Sequence, residues 1–510
     1  MPMFQRLSVT LLLAATLVGC AYLPDEVEHT SEAKPLHYSS QLSALNDVFW
    51  SEQSSAEQSA IVVQESGWDA LAQRLALIDT AQHTIDIQYY IWNSDSSGHY
   101  LASRLLAAAE RGVHVRVMLD DINLNEREDL LVTLDSHPNA EIRVFNPTPN
   151  RRGVAKWFNF LGDFSRLNRR MHNKSFTVDG AFSIVGGRNI GDEYFDLSDE
   201  INFRDRDVMV VGEVVVDIQS GFAQYWDSRW SYPVELLGGE PMSDLSVVSD
   251  AAAPHYLNYP ALPVGEEISR QFMASLMNEM LPVKAHYVYD QPVPVDAGNT
   301  NEPKATAQYL TSLAQQSEQE VLLESAYLIF DDTQLKGWQA LSEKGVQIKA
   351  LTNSMASNDL VTNHSGYAGR RQEMLEHGIE LFELKPMASL CQESTKDALK
   401  CAPHTGYGLH AKSAVFDNRI AVIGSFNFNL RSTYLNTESL LVIENQGVAE
   451  TLAGEISHAM IEENSWSLSL EEGDVRWWSG EESLNSEPET GRWERFESYF
   501  LQLFPIEKYL

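Results

Sequence analysis

The sequence predicts an α/β fold built from two similar α-β-α halves, paired as an internal pseudo-dimer with one site at their interface. Three observations carry that expectation. A His-x-Lys-x-x-x-x-Asp pattern occurs twice, as His172-Asn-Lys174 running to Asp179 and as His410-Ala-Lys412 running to Asp417. The segments that precede each copy repeat in the same order. The chain of 510 residues is also too long for one core, and suits two domains of nearly 200 residues with flanking segments.

The elements follow in sequence order. TIDIQYYIW at 84–92 answers VLLESAYLIF at 321–330, GVHVRVMLDD at 112–121 answers GVQIKALTNS at 345–354, and AEIRVFNP at 140–147 answers GIELFELKP at 378–386. Alternating β-branched and apolar residues mark all six as strands. Runs such as WDALAQRLALIDTA at 68–81 and LASRLLAAAERG at 101–112 place apolar residues three and four apart, which predicts helices between the strands. Strands alternating with helices imply a mixed, largely parallel sheet in each half. Each His-Lys copy lies in a strand-turn-strand stretch, MHNKSFTVDGAFSIVGGRN or LHAKSAVFDNRIAVIGSFN. Asp-Gly and Asp-Asn are turn formers, so both stretches read as hairpins. A strand with a carboxylate follows each, RDRDVMVVG with Asp207 and NTESLLVIE with Glu438.

The resulting division is an export segment at 1–20, an acidic linker at 21–60, a first half at 61–240, a linker at 241–262, a second half at 263–463 and an acidic, aromatic tail at 464–510. In the tail, Trp493, Phe496, Phe500 and Leu503 share one helical face. Core packing is the commoner reading of such a stripe, and contact with a bilayer is the other.

A single histidine on a strand is most often a satisfied core residue. Two identical constellations with matching downstream corners, Gly186-Gly187-Arg188-Asn189 and Gly424-Ser425-Phe426-Asn427, are not explained that way. The residue types fit phosphoryl transfer. Imidazoles titrate near neutrality, at roughly pKa 6.5. One of His172 and His410 can attack phosphorus while the other, starting protonated, donates to the leaving oxygen. Lys174 and Lys412 supply positive charge to the non-bridging oxygens, and Asn189 and Asn427 add hydrogen-bond donors. This scheme calls for no metal or other cofactor, and it requires both copies to face one cleft. Asp179 and Asp417 sit where turn chemistry favours Asp. The carboxylates that orient the imidazoles are therefore expected to be Asp207 and Glu438.

On these residues the chain resembles the phospholipase D superfamily, whose signature is this duplicated motif, over about residues 61–444. The run RRMHNKSFTVDGAFSIVGGRNIGDEYF and the stretch NHSGYAGRRQEMLEHGIELFELK at 363–385 are similar to bacterial cardiolipin synthases of the C type. The resemblance implies phosphatidyl transfer between membrane phospholipids, or to a glycerol-type alcohol, through a phosphohistidine. It also implies attack by His172 and acid catalysis by His410. Hydrolysis to phosphatidic acid by the same machinery stays open, as do a nuclease and a non-catalytic envelope protein.

Arg6 precedes an apolar stretch at 7–18 that ends in Leu17-Val18-Gly19-Cys20. The stretch matches a signal-peptide core, and the last four residues resemble a bacterial lipobox that would place an acyl anchor on Cys20. Ala21 after the cysteine resembles lipoproteins sent to the outer membrane, so the periplasmic face of that membrane is the expected location. Export permits a disulfide between Cys391 and Cys401. A metal site using both cysteines with His404 is the rival, although the spacing matches no standard zinc pattern. A net charge of −35 leaves little basic surface for a nucleic-acid backbone. A lipid headgroup needs only local positive charge, which Lys174, Arg188 and Lys412 are placed to supply. The runs NRRGVAK at 150–156 and RLNRR at 166–170 are the basic exceptions, either anionic-lipid contacts or solvated loops.

Overall fold

The computed structural model describes residues 27, 38–122, 124, 128–148, 164–238, 246–249, 251–255, 258–292, 302–395, 397–502 and 507–509. The expected export segment with Cys20, the run at 150–156 and Leu503 lie outside the described residues.

The first half contains strands β1 (Ser59–Gln64), β2 (Thr84–Tyr89), β3 (His114–Asp120), β4 (Ala140–Phe145), β5 (Ser175–Val178), β6 (Phe182–Gly186), β7 (Ile201–Arg204), β8 (Asp207–Gly212) and β9 (Ser231–Pro233). The second contains β10 (Leu281–Tyr289), β11 (Glu320–Ser325), β12 (Gln347–Asn353), β13 (Ile379–Leu384), β14 (Gly406–Leu409), β15 (Lys412–Phe416), β16 (Ile420–Gly424), β17 (Ser439–Glu444), β18 (Ser465–Glu471), β19 (Asp474–Ser479) and β20 (Glu482–Leu484). The first sheet runs β9-β4-β3-β2-β5-β6-β8-β1. The second runs β10-β17-β16-β15-β11-β12-β13-β18-β19-β20. The two orders match strand for strand from β1 and β10 outward. Those two strands pair antiparallel through Ser59, Ala60 and Ile61, and join the halves into one sheet.

All six predicted strands and both predicted helices form. Helix Gly67–Thr80 is capped by the Ser66 hydroxyl and helix Ser96–Glu110 by the Asp95 carboxylate. Each half has its own apolar core, and a third core spans them, with Ile61, Val208 and Val210 meeting Leu441, Ile443 and Leu409.

The sheets are less parallel than expected. Within these two sheets only β2-β3-β4 and β11-β12-β13 are parallel, because a three-residue turn can join only antiparallel strands and each His-Lys copy brings such a hairpin to the sheet centre. The boundaries also move. Helix Gln41–Glu52, within the expected acidic linker, buries Leu42 and Phe49 in the first core. Helix Glu266–Leu276 sends Met273 and Leu276 into that same core, so the second half begins at β10 rather than at 263. The expected tail starts as β18, paired with β13, and its Trp466 and Trp477 are core residues. Their burial follows from the edge of the second sheet, which an added strand covers.

Asp179-Gly180 and Asp417-Asn418 all have positive φ, between 51° and 63°, as the tight hairpin turn demands. Asp179 accepts from the backbone N–H groups of Gln82, His83 and Thr84, at 2.8 to 3.0 Å. Asp417 does the same for Glu318, Gln319 and Glu320. Both motif aspartates thus tie the hairpin to the start of β2 or β11 and do not contact an imidazole. Asp179 is buried, and its replacement by Ala strands three amides. Asp179→Ala is expected to lower stability by about 2–4 kcal/mol, read by chemical denaturation, with turnover per folded molecule little changed.

Candidate active site

The two His-Lys copies are brought together by exchange between the halves. β7 pairs in parallel with β14, and Met171 forms a parallel bridge with Thr437. The segment ahead of each histidine therefore lies beside the segment ahead of the other half's carboxylate. His172 donates its backbone N–H to Thr437 and His410 to Arg204.

That register sets two crosswise pairs. His172 Nδ1 lies 2.7 Å from Glu438 Oε2 and 3.0 Å from the Ser425 carbonyl. Glu438 is fully buried and accepts from the hydroxyls of Ser425 and Ser432 at 2.6 and 2.7 Å. His410 Nδ1 lies 2.5 Å from Asp205 Oδ2, and Asp205 Oδ1 accepts from the Arg206 N–H. In each pair the carboxylate holds the proton on Nδ1 and leaves the Nε2 lone pair for chemistry.

Glu438 takes the expected role, but Asp207 does not. Asp207 receives Arg74 at 2.6 Å and the Arg188 backbone N–H at 3.1 Å, and the orienting carboxylate is Asp205. Both aspartates project to the same face of one extended run, so alternation could not choose between them. Register does: Asp207 pairs with Gly186 while Leu440 pairs with Gly424, which aligns Asp205 with Glu438. Gly187 makes room for Asp205, since a Cβ there would stand 2.2 Å from Oδ1.

The remaining residues sort by their contacts. Lys174 and Lys412 are buried, and each donates back to the carbonyl of its own histidine. Arg188 was expected to supply charge to a headgroup. It is buried instead and spends its guanidinium on the carbonyls of Gln64, Glu65, Tyr194 and Asp205. Asn189 accepts from Ile91 N–H and donates to the Tyr194 hydroxyl. The Tyr194 ring stands 5.0 Å from His410, so this amide acts at one remove. Asn427 is buried, and its amide oxygen has no partner among the described residues.

Sequence reading missed Tyr90, whose ring is 4.7 Å from His172, and Phe203, 5.4 Å from His410. It also missed Glu324. That carboxylate binds Arg204 at 2.9 Å and also Arg206, bracketing Asp205 from the opposite half. Cys391 and Cys401 form a disulfide within the shared core, which removes them as metal ligands beside His404. Closing a loop of this size contributes about 2–3 kcal/mol.

Charge is concentrated in this site. Burial, with Lys174 and Lys412, lowers His172 to about 4 against the pull of Glu438. Burial and the same two lysines lower His410 to about 3 against Asp205. Each imidazole feels the lysine of both halves, as one common site requires. Burial also lowers Lys174 to about 7 and Lys412 to about 8. Although burial alone would raise Asp205, His410 and Lys412 hold it well below the usual carboxylate range. Burial and the two lysines thus favour the neutral imidazoles, while Glu438 and Asp205 favour the protonated ones.

The family described as "Cardiolipin synthase, PLD-like domain" matches residues 75–226 and 310–460, one match in each half. The chain is 38% identical over 462 residues to a protein named Cardiolipin synthase C from Escherichia coli (strain K12), covering 87% of this chain and 94% of that one. It is 24% identical over 386 residues to a protein named Cardiolipin synthase from Geobacillus thermodenitrificans (strain NG80-2), covering 75% of this chain and 62% of that one. The fold is like the crystal structure of phosphatidylserine synthase from Haemophilus influenzae Rd KW20, with a TM-score of 0.58 at 14% identity over 89% of this chain and 96% of that one. With the family matched in both halves and a relative aligned along nearly the whole chain, this protein belongs to the phospholipase D-like cardiolipin synthase family.

Proposed function

We propose that this protein is a phosphatidyltransferase that joins two phospholipids into a cardiolipin-type product through a phosphohistidine. The observation that carries this reading is the pair of buried imidazoles, each held by the other half's carboxylate, over two buried lysines. His172 Nε2 forms a bond to the phosphorus of a donor phospholipid, and the bond from phosphorus to the headgroup oxygen breaks. That oxygen takes a proton from His410 and departs as an alcohol. An acceptor hydroxyl then gives its proton to His410 and bonds to phosphorus, and the P–N bond to His172 breaks. The lysines offset charge on the non-bridging oxygens. His410 takes the proton it needs from solvent as the substrate binds, because a phosphodiester anion raises the affinity of every nearby group for protons.

The test is product analysis with purified protein, one phospholipid carrying a free hydroxyl, and detergent micelles. A diphosphatidyl product supports transfer, and phosphatidic acid alone would assign hydrolysis instead.

The rate should also depend on pH in a definite direction. Lys174 loses its charge above about 7 and Lys412 above about 8. His172 stays unprotonated down to about 4. The value of kcat/KM is therefore expected to fall from pH 6 to pH 9 and to persist toward pH 5. Both lysines bind fewer protons folded than unfolded above these values, so their contribution to stability rises with pH in that window. The two lysines therefore do not account for any alkaline unfolding, and a profile flat to pH 9 would contradict the assignment.

The same reading places the protein on a membrane through Cys20. The apolar stretch at 7–18 and Leu17-Val18-Gly19-Cys20 support export and acylation, with the periplasmic face of the outer membrane as destination. Among the described residues no helix is long and apolar enough to cross a membrane. In cells, Cys20→Ser is expected to abolish incorporation of labelled acyl chains and to release the protein into alkaline wash. Turnover of micellar phospholipid by the purified variant should be unchanged.

A further inference from the structure

Helix Arg492–Leu501 is built against the usual pattern. Trp493, Phe496, Tyr499 and Phe500 are 73%, 55%, 65% and 49% exposed, and Ser498 is its buried residue. The aromatic side chains form a ridge, with Trp493 and Phe496 rings 5.6 Å apart and Phe496 and Phe500 rings 6.5 Å apart. A contiguous outward aromatic stripe is costly in water and marks an interaction surface.

The helix is fastened to the catalytic body on both sides. It packs on helix Val361–Glu376, and just before it Glu487 pairs with Arg371 of that helix at 2.6 Å. Beyond it, Lys508 lies over the Tyr434 ring and Arg431 donates to the Tyr509 carbonyl. Arg431 and Tyr434 belong to helix Leu430–Tyr434, whose Ser432 holds Glu438. Helix Val361–Glu376 starts next to Leu360, which is exposed, and to Asp359, which accepts from Tyr327 and acts on Lys412. The ridge and the rim of the catalytic site therefore share the same two supporting helices.

We propose that this aromatic ridge is a bilayer-docking surface that seats the catalytic site on a phospholipid leaflet independently of the N-terminal anchor. Trp and Tyr favour the zone where hydrocarbon meets headgroups, which matches an exposed mixture of Trp, Tyr and Phe. Charge agrees. The chain carries −35 overall, whereas this helix balances Arg492 and Arg495 against Glu494 and Glu497. The ridge can thus approach an anionic surface without the repulsion the rest of the chain imposes. The choice of occupant rests on the phospholipid reading of the active site.

The test compares full-length Cys20→Ser protein with the same protein carrying Trp493→Ser, Phe496→Ser and Tyr499→Ser. Both are sedimented with vesicles of phosphatidylethanolamine and phosphatidylglycerol, and both are assayed on vesicles and on micelles. The expected result is at least a tenfold fall in vesicle partitioning and a matching rise in apparent KM on vesicles. Micellar kcat and thermal unfolding should be unchanged. Equal partitioning by the two proteins would overturn the proposal. So would absence of vesicle binding by either, with a dimer seen by light scattering only in the parent, which would assign the ridge to a second copy of the chain. Ridge-dependent binding without turnover on any phospholipid would support docking while removing the phosphatidyltransferase reading.

Discussion

His172→Ala and His410→Ala are each expected to lower turnover by at least about a hundredfold, the usual effect of removing a nucleophile or a general acid. The two losses should differ in kind. His172 is assigned to attack, so its removal blocks formation of the covalent intermediate whatever the leaving group. His410 is assigned to proton donation, so its removal matters only while the departing oxygen needs a proton. A donor ester with an acidic phenol as leaving group should restore the first step in His410→Ala and leave His172→Ala inactive. Acid-quench mapping of the trapped phosphohistidine should then place it on residue 172. Phosphorylation at 410, or rescue of His172→Ala by the activated ester, would exchange the two roles. Substantial turnover of the natural donor by either variant would remove the paired-imidazole mechanism.

Much of this arrangement was legible in the sequence because it is local. His, Lys and Asp at fixed spacing in an alternating stretch with a turn-forming pair specify a hairpin, and the structure has both hairpins with positive φ at Asp179 and Asp417. The repeated strand series specified two equivalent sheets. What failed was non-local. Parallel or antiparallel pairing depends on where a hairpin is inserted, which patterning within one strand does not report. The choice of Asp205 over Asp207 depends on register against β6, two residues along the same face. The exchange of carboxylates between halves follows from the β7–β14 pairing, across about two hundred residues of chain, and Glu324 enters the site by the same route. The Trp493 stripe shows the limit of helical periodicity. It locates a shared apolar face but does not tell whether that face turns inward, and here it is exposed while Trp466 and Trp477 are buried.

Asp205 and Asp207 give the sharpest separation of chemistry from scaffold, since they are neighbours on one face with different partners. Asp205→Asn is expected to lower kcat by about two orders of magnitude or more with the fold intact. An amide there offers either oxygen or nitrogen to His410 Nδ1, so it neither fixes the tautomer nor stabilises the imidazolium that forms when His410 takes a proton. Glu438→Gln should act in the same way on His172, although Ser425 O also accepts from that Nδ1 and limits the loss of orientation. Asp207→Asn should behave differently. It removes the counter-charge from buried Arg74, bonded at 2.6 Å, and from Arg188, at 3.8 Å. A buried ion pair broken from one side costs about 3–5 kcal/mol, so this variant should unfold at lower denaturant while its folded fraction keeps most of its kcat. The readout that a merely structural role would not move is the pH profile. Without Asp205, Lys412 and Lys174 lose a charge that raises their proton affinity, and so does His410. The alkaline fall in rate should therefore begin at lower pH in Asp205→Asn, which acts on both lysines, and move less in Asp207→Asn, which acts on Lys174 alone. An unchanged rate and profile in Asp205→Asn, with the rate lost in stably folded Asp207→Asn, would return the orienting role to Asp207 and remove the crosswise pairing from the mechanism.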